Sequence, residues 1–208
     1  KETSLRGKKS PTMRTRFITS AAGAAGFPKL EIPEVAFAGK SNVGKSSLLN
    51  ALAQARIARV SKTPGRTQLV NFFEVATKER SWSLAALPGY GSARVPHRVT
   101  KHWAPLIESY LEQRTNLKHV FVLVDVRRGL QDEDRELLAF LTEIGRPTSL
   151  VATKLDKLKK AQKKPALHAI AREAGLNKGD VWGTSAQARE GLDALRQGVE
   201  AYLFDAGA

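Results

Sequence analysis

Cysteine is absent from this chain, methionine occurs once, and acids are scarce: 20 Asp and Glu stand against 34 Lys and Arg among 208 residues. Without cysteine there is no disulfide framework, no thiolate metal site and no thiol nucleophile, and the composition fits a reducing cytoplasm. Long apolar runs are also missing. The best one, Val120–Val126, is interrupted by Asp125 and falls far short of the ~18 residues of a membrane span, so no membrane partner is expected. There is no Gly-x-Ser-x-Gly elbow, which together with the lack of cysteine argues against a covalent hydrolase. His97, His102, His119 and His168 lack metal-ligand spacing and read as surface or packing residues. Gln131-Asp132-Glu133-Asp134 lacks the glycine of a calcium loop and reads as a helix start. Phe72, Phe73 and Trp103 read as core.

What remains is a basic chain long enough for one α/β domain with a substantial core. A formal net charge of +14 favours contact with a phosphate-rich polymer over a merely solvated surface. The stretch Lys1–Arg16 carries six cations against Glu2 alone and has no apolar h-region, so it is not a secretory signal. Its acid-poor character also matches an organellar transit peptide, a weaker reading. With Met13 the only methionine, Lys1–Thr12 reads as an upstream extension or a mis-assigned start. Residues 1–27 are expected to form a weakly ordered extension, and 28–208 the domain.

Val35–Ala38 is a short apolar strand that runs into Gly39-Lys40-Ser41-Asn42-Val43-Gly44-Lys45-Ser46, followed by Ser47 and the helical Leu48–Leu52. Strand, G-x-x-x-x-G-K-S and helix in that order form a phosphate-binding loop. Gly39 and Gly44 allow the tight turn that converges backbone N–H groups on a phosphate, and the helix adds its positive end. Lys45 is placed to reach the β- and γ-phosphates, and the Ser46 hydroxyl to bind Mg²⁺.

Strand and helix then alternate. Helix is expected over Lys45–Ala55, a hairpin over Leu69–Val75 and Trp82–Leu87, and helix around Trp103, Leu106, Ile107, Tyr110 and Leu111. Strand Val120–Val124, helix Asp132–Ile144, strand Thr148–Ala152, helix Lys163–Ala174, strand Val181–Gly183 and helix Leu192–Phe204 complete the order. This alternation predicts a six-stranded, mostly parallel sheet with one antiparallel edge strand and helices on both faces.

The nucleotide is indicated further on. Thr153-Lys154-Leu155-Asp156 ends a strand, where the Asp156 carboxylate can accept from guanine N1–H and N2–H₂. Adenine presents no such pair, which opposes an ATPase or nucleotide kinase. The Lys154 stem can lie over the base. Thr184-Ser185-Ala186 follows the last strand, where a backbone N–H can meet the guanine O6. Thr67 lies where a switch threonine closes on Mg²⁺ and the γ-phosphate.

Together with Pro64-Gly65-Arg66-Thr67-Gln68, Asn71-Phe72-Phe73 and Leu87-Pro88-Gly89-Tyr90-Gly91, these segments make the chain resemble the EngB family of GTP-binding proteins. That family is a branch of the Era/TrmE-like GTPases implicated in assembling the large ribosomal subunit. The resemblance runs from about Phe17 to the C-terminus. It implies a Ras-like P-loop fold, GTP and GDP as ligands, slow hydrolysis with Mg²⁺, a ribosomal RNA or large-subunit precursor as partner, and a monomer. It also implies switch roles for Thr67 and Gly89 beside Lys45, with Ser46 and Thr67 at the metal. Some related GTPases hold K⁺ through a P-loop asparagine, which is Asn42 here.

One departure stands out. Where the family has Asp-Leu-Pro-Gly-Tyr-Gly-Tyr, this chain has Ala86-Leu87-Pro88-Gly89-Tyr90-Gly91-Ser92, so the aspartate that orients the Mg²⁺ hydration shell is missing. Asp125 ends a similar apolar strand but belongs to the next strand in the family's order. Nucleotide binding does not require residue 86, whereas hydrolysis is put in doubt by its replacement. The alternative reading is therefore a non-hydrolysing, RNA-associated scaffold. Tyr90 replaces the water-orienting glutamine of some GTPases. Two basic stretches, Lys154, Lys157, Lys159, Lys160, Lys163 and Lys164, and Arg94, Arg98 and Lys101, extend the surface expected to meet RNA. Six neutralised phosphates would give a log–log salt slope of about −5. Aromatics do not interleave with the lysines, so single-strand stacking is not expected.

Overall fold

Alternate residues of the longest strand feed two separate cores, and this organises the computed structural model, which describes residues 13–57, 69–91 and 105–205. On one face Val120, Val122 and Val124 join Ala36, Phe72 and Leu150; on the other Phe121 and Leu123 join Phe37, Phe73 and Val151. Period-two alternation with both sets apolar is the signature of a strand buried on both sides.

The strands are β1 (Arg14–Ala21), β2 (Glu34–Gly39), β3 (Val70–Ala76), β4 (Ser81–Ala86), β5 (Leu117–Asp125), β6 (Thr148–Thr153) and β7 (Val181–Gly183). They lie in the order β1-β3-β4-β2-β5-β6-β7, with β4, β2, β5, β6 and β7 parallel to one another. The helices are α1 (Lys45–Ala53), α2 (Pro105–Gln113), α3 (Asp132–Glu143), α4 (Lys160–Ala174) and α5 (Leu192–Phe204). Leu48, Leu49 and Leu52 of α1 and Leu195 and Val199 of α5 cover one face; Tyr110 of α2, Leu137 of α3 and Ile170 of α4 cover the other.

The sheet has seven strands, not six. Arg14–Ala21, expected to be weakly ordered, pairs antiparallel with β3 in register Phe17↔Phe73, with a bulge between Phe17 and Thr19. Its Thr, Phe and Ile residues favour a pleated edge, and the exposed side accommodates its arginines, with Arg16 paired to Glu74. The antiparallel strand is β3, which pairs on both sides with strands running against it, so β1 and not β3 forms the edge. Helix α4 begins at Lys160, three residues before the expected start, and carries Pro165 inside it.

The parallel strands β2, β4, β5 and β6 end at Gly39, Ala86, Asp125 and Thr153 on a common rim, where ligands bind in open α/β sheets. At the opposite rim Glu34 is fully buried. Its carboxylate accepts from Arg114 Nε (2.7 Å) and Nη2 (2.9 Å), Tyr110 O–H (2.7 Å) and Ser83 O–H (2.8 Å). Both oxygens of this buried charge are thus satisfied.

Candidate nucleotide site

Between Gly39 and Lys45 the chain makes a loop whose last residue, Gly44, has φ +107°, a conformation that strains any side chain. The first helical bond of α1 is Leu48 N–H to Gly44 O at 2.9 Å. No side chain caps α1 and no acid lies in its first turn. The N–H groups of the first turn are therefore directed at whatever anion approaches, with the helix dipole behind them.

The loop is tied to the neighbouring strand ends by side chains from far along the chain. Thr153 Oγ donates to Val43 O at 2.7 Å. Lys154, itself at φ +62°, donates to Asn42 O at 2.9 Å and pairs with Asp125 at 3.0 Å. Asp125 also binds Arg127 through both oxygens, at 2.9 and 2.7 Å. Hydrogen bonds from Arg127 and Lys154 outweigh its burial and hold its carboxyl far below the usual range. Asp125 is thus committed to the back of the phosphate loop, where it lines a cavity of about 450 Å³ with Lys40, Asn42, Arg127 and Lys154. Strand β2 lies between it and Ala86, so the two stand at different strand ends.

Beyond β6, Asp156 Oδ1 accepts from Ser185 O–H at 2.6 Å and Oδ2 faces Lys157 at 3.2 Å. These contacts, the Ser185 hydroxyl foremost, hold the Asp156 carboxyl below its ordinary value. Ser185 is fixed in turn by paired backbone bonds with Glu190, 3.0 Å each way. The Ala186 N–H has no hydrogen-bond partner among the described residues. An ionised acceptor pair beside an unpartnered donor is the complement of the guanine N1–H, N2–H₂ and O6 edge.

On the other side of the loop, Lys45 donates to the carbonyl of Leu87. Burial alone pushes its ammonium down to about 8. No carboxylate offsets that burial, because the position at the end of β4 is Ala86, 6% exposed among Phe37, Leu48 and Leu49. Tyr90 is buried with its hydroxyl on Asp134, so it is not a free group over the phosphates.

The Ser46 hydroxyl has no hydrogen-bond partner among the described residues, which suits a hard cation shared with phosphate oxygens. The described residues contain no cluster of three His, Cys, Asp or Glu able to hold a metal alone.

Gly39 to Ser47, Gly89, Thr153, Lys154, Asp156, Ser185 and Ala186 thus come together on one rim, whereas Thr67 lies outside the described residues, as do Arg94, Arg98 and Lys101. Within the first basic stretch, Lys163 is neutralised by Glu190 (2.6 Å), Lys157 by Asp156 and Lys154 by Asp125. The pairings that sequence reasoning missed are Tyr90 with Asp134 and Thr153 with Val43, the last two already expected at the site. Both pairings join distant segments, and no local spacing announces them. No helix is long and apolar enough to cross a membrane among the described residues.

Known proteins match this arrangement. Residues 34–154 fit the family model described as 50S ribosome-binding GTPase. A "Probable GTP-binding protein EngB" of Syntrophotalea carbinolica is 46% identical over 91% of this chain and 90% of its own length. One of Geobacter metallireducens is 44% identical over 90% and 91%. Among solved structures, a probable GTP-binding protein engB superposes with TM-score 0.64 at 23% identity over 83% of this chain and all of its own. Era in complex with MgGDPNP and a 16S ribosomal RNA segment superposes with TM-score 0.65 at 23% identity, over 86% of this chain and 59% of its own. These structural likenesses speak for the fold.

Proposed function

Because the chain belongs to the EngB family of GTP-binding proteins, we propose that it is a GTP- and GDP-binding switch that works on a large ribosomal subunit precursor, with slow hydrolysis. The observation that carries the nucleotide is Asp156, held ionised by Ser185 beside the unpartnered Ala186 N–H, on the same rim as the phosphate loop. In this reading the N–H groups of residues 42–47 and the Lys45 ammonium receive the phosphates. Ser46, with Thr67 in the GTP state, would hold Mg²⁺, which would supply neutralisation of the phosphate charge. Asn42 is the residue that would hold K⁺. Thr67 and Gly89 respond to the third phosphate.

The ribosomal partner is supported by the 50S description of the matching family and by the excess of basic residues. Three of the six lysines in the first stretch are locally paired, so that surface is smaller than its composition suggests. Lys159, Lys160 and Lys164 are exposed and carry no ion pair among the described residues. If they meet three RNA phosphates, this face contributes a log–log salt slope of about −2.5, half the value expected from all six.

Titrating GDP, GTP and ATP with and without Mg²⁺, then measuring turnover in K⁺ and in Na⁺, tests the nucleotide reading. Guanine nucleotides bind and ATP does not. Tight ATP binding overturns the assignment, and a salt-insensitive association with ribosomal particles overturns the RNA surface.

A further inference from the structure

The segment leaving β4 lies directly on the phosphate loop. Ser41 N–H donates to Tyr90 O at 2.8 Å, Tyr90 N–H to Gly39 O at 3.4 Å, and Lys45 to Leu87 O; Lys40 and Tyr90 form a parallel bridge. Gly89 approaches so closely that a Cβ there would stand 3.1 Å from Ser41 Cα and 3.2 Å from Ser41 N. Two donors of the loop, the Ser41 N–H and one N–H of the Lys45 ammonium, are therefore directed at carbonyl oxygens of the chain itself.

A terminal phosphate needs that lysine and carries anionic oxygens. Carbonyl lone pairs in the same place repel it, so the Leu87–Tyr90 segment has to give way before a third phosphate can be seated. A diphosphate, held by the N–H groups of residues 42–47 and by the remaining N–H groups of the Lys45 ammonium, leaves Leu87–Tyr90 in place. What resists displacement is Tyr90. It is 8% exposed, and its hydroxyl donates to Asp134 Oδ1 at 2.7 Å. Asp134 is 2% exposed, and its other oxygen accepts the Gln131 N–H at 3.0 Å, closing the first turn of α3. Alongside, Lys40 pairs with Glu133 at 2.9 Å, so the start of α3 grips both the phosphate loop and the segment lying on it.

We propose that Tyr90, through its hydrogen bond to Asp134, is a specificity-determining residue that favours guanosine diphosphate over triphosphate by holding Leu87–Tyr90 in the place of the third phosphate. The inference rests on the guanine-nucleotide reading of the site. A ligand shifts such an equilibrium only by its differential affinity for the two arrangements, so weakening the latch must act on the triphosphate alone.

Tyr90→Phe keeps the ring in the core and removes only the hydroxyl. Calorimetric affinities for GDP and for a non-hydrolysable GTP analogue, both with Mg²⁺, are compared in parent and variant, with a thermal melt to verify folding. The analogue is expected to bind about tenfold more tightly to the variant, with GDP unchanged within twofold. Asp134→Asn, which retains an acceptor but no charge, is expected to give a smaller rise in the same direction. An unchanged ratio of the two affinities, or an equal loss of both, overturns the latch while leaving the guanine-nucleotide reading intact. Failure of the parent protein to bind either nucleotide overturns both.

Discussion

The two flanks of the phosphate loop are built in different ways. On the base flank, side chains hold every element: Thr153 on Val43 O, Lys154 on Asn42 O and Asp125, and Ser185 on Asp156. That flank presents its acceptors and donor ready-made. On the switch flank the segment's contacts with the loop are made by its main chain, Leu87 O, Tyr90 O and Tyr90 N–H, and β4 ends in Ala86. Rigid side-chain support suits recognition that must be the same in every nucleotide state. Main-chain contacts that a phosphate can replace suit a segment that has to move. On the proposed function, binding and turnover are therefore expected to be separable, one on each side of the loop.

The largest effect is expected from breaking the base flank. Asp156→Asn replaces an acceptor with a donor opposite guanine N1–H and N2–H₂. Losing two hydrogen bonds to a charged acceptor, at about 1.5–3 kcal/mol each, lowers GDP affinity about a thousandfold. Xanthosine diphosphate, whose base offers an acceptor there, regains most of the loss. Calorimetry with both diphosphates decides the matter. A loss below tenfold, or no recovery with the xanthine base, would place recognition elsewhere.

This flank was also the more legible one. Thr153-Lys154-Leu155-Asp156 and Ser185-Ala186 are contiguous in sequence, and apolar strands deliver them to the rim, so pattern and placement agree. The helix starts at Lys45 and Asp132 were readable for the same reason. Strand β1 was not, because Arg14 and Arg16 hide the β-forming Thr, Phe and Ile residues between and after them, and an edge strand leaves such charges in solvent. Nor was the Tyr90–Asp134 contact, 44 residues apart in the chain, because nothing local distinguishes a tyrosine that latches from one that packs. The basic run misled in the opposite direction. Lys154, Lys157 and Lys163 look like a free surface in sequence and are paired in space.

Acid should separate the flanks next. His119 of β5 stacks on Tyr202 of α5 at 3.7 Å and shares a hydrogen bond with Ser149 of β6 at 2.9 Å. Burial pushes its pKa down to about 4, only partly countered by Asp180. Below pH 6.5 the unfolded chain takes up this proton and the folded one does not. Stability is therefore lost as pH falls from 6.5 to 4, on the order of 3 kcal/mol in all. Asp134 has the opposite sign: burial raises its carboxyl, so the folded state binds that proton more readily and gains stability as pH falls through its pKa. Protection factors, each referred to the intrinsic exchange rate at its own pH, should thus fall in β5, β6 and α5 between pH 7 and pH 5, and not in α3. His119→Phe should flatten the acid limb of urea unfolding; an unchanged limb would assign the loss to other groups.

Restoring the switch flank gives a more modest and more informative change. Ala86→Asp would put a carboxylate at the end of β4, in the cluster that contains Leu48 and Leu49 of α1, one turn from Lys45 and Ser46. There it can offset the burial that now leaves the Lys45 ammonium at about 8, and orient water around a cation on Ser46. Such outer partners are worth about 10–100-fold in metal affinity or activity, so phosphate release from GTP should rise by that factor and GTP affinity should become Mg²⁺-dependent. GDP affinity without metal should stay the same, because the base flank and the N–H groups of α1 are untouched. Equal turnover of both forms under saturating Mg²⁺ would mean that residue 86 does not limit hydrolysis. The deficit would then lie with the absence of a water-orienting side chain at Tyr90, and the contrast between the flanks would rest on motion alone.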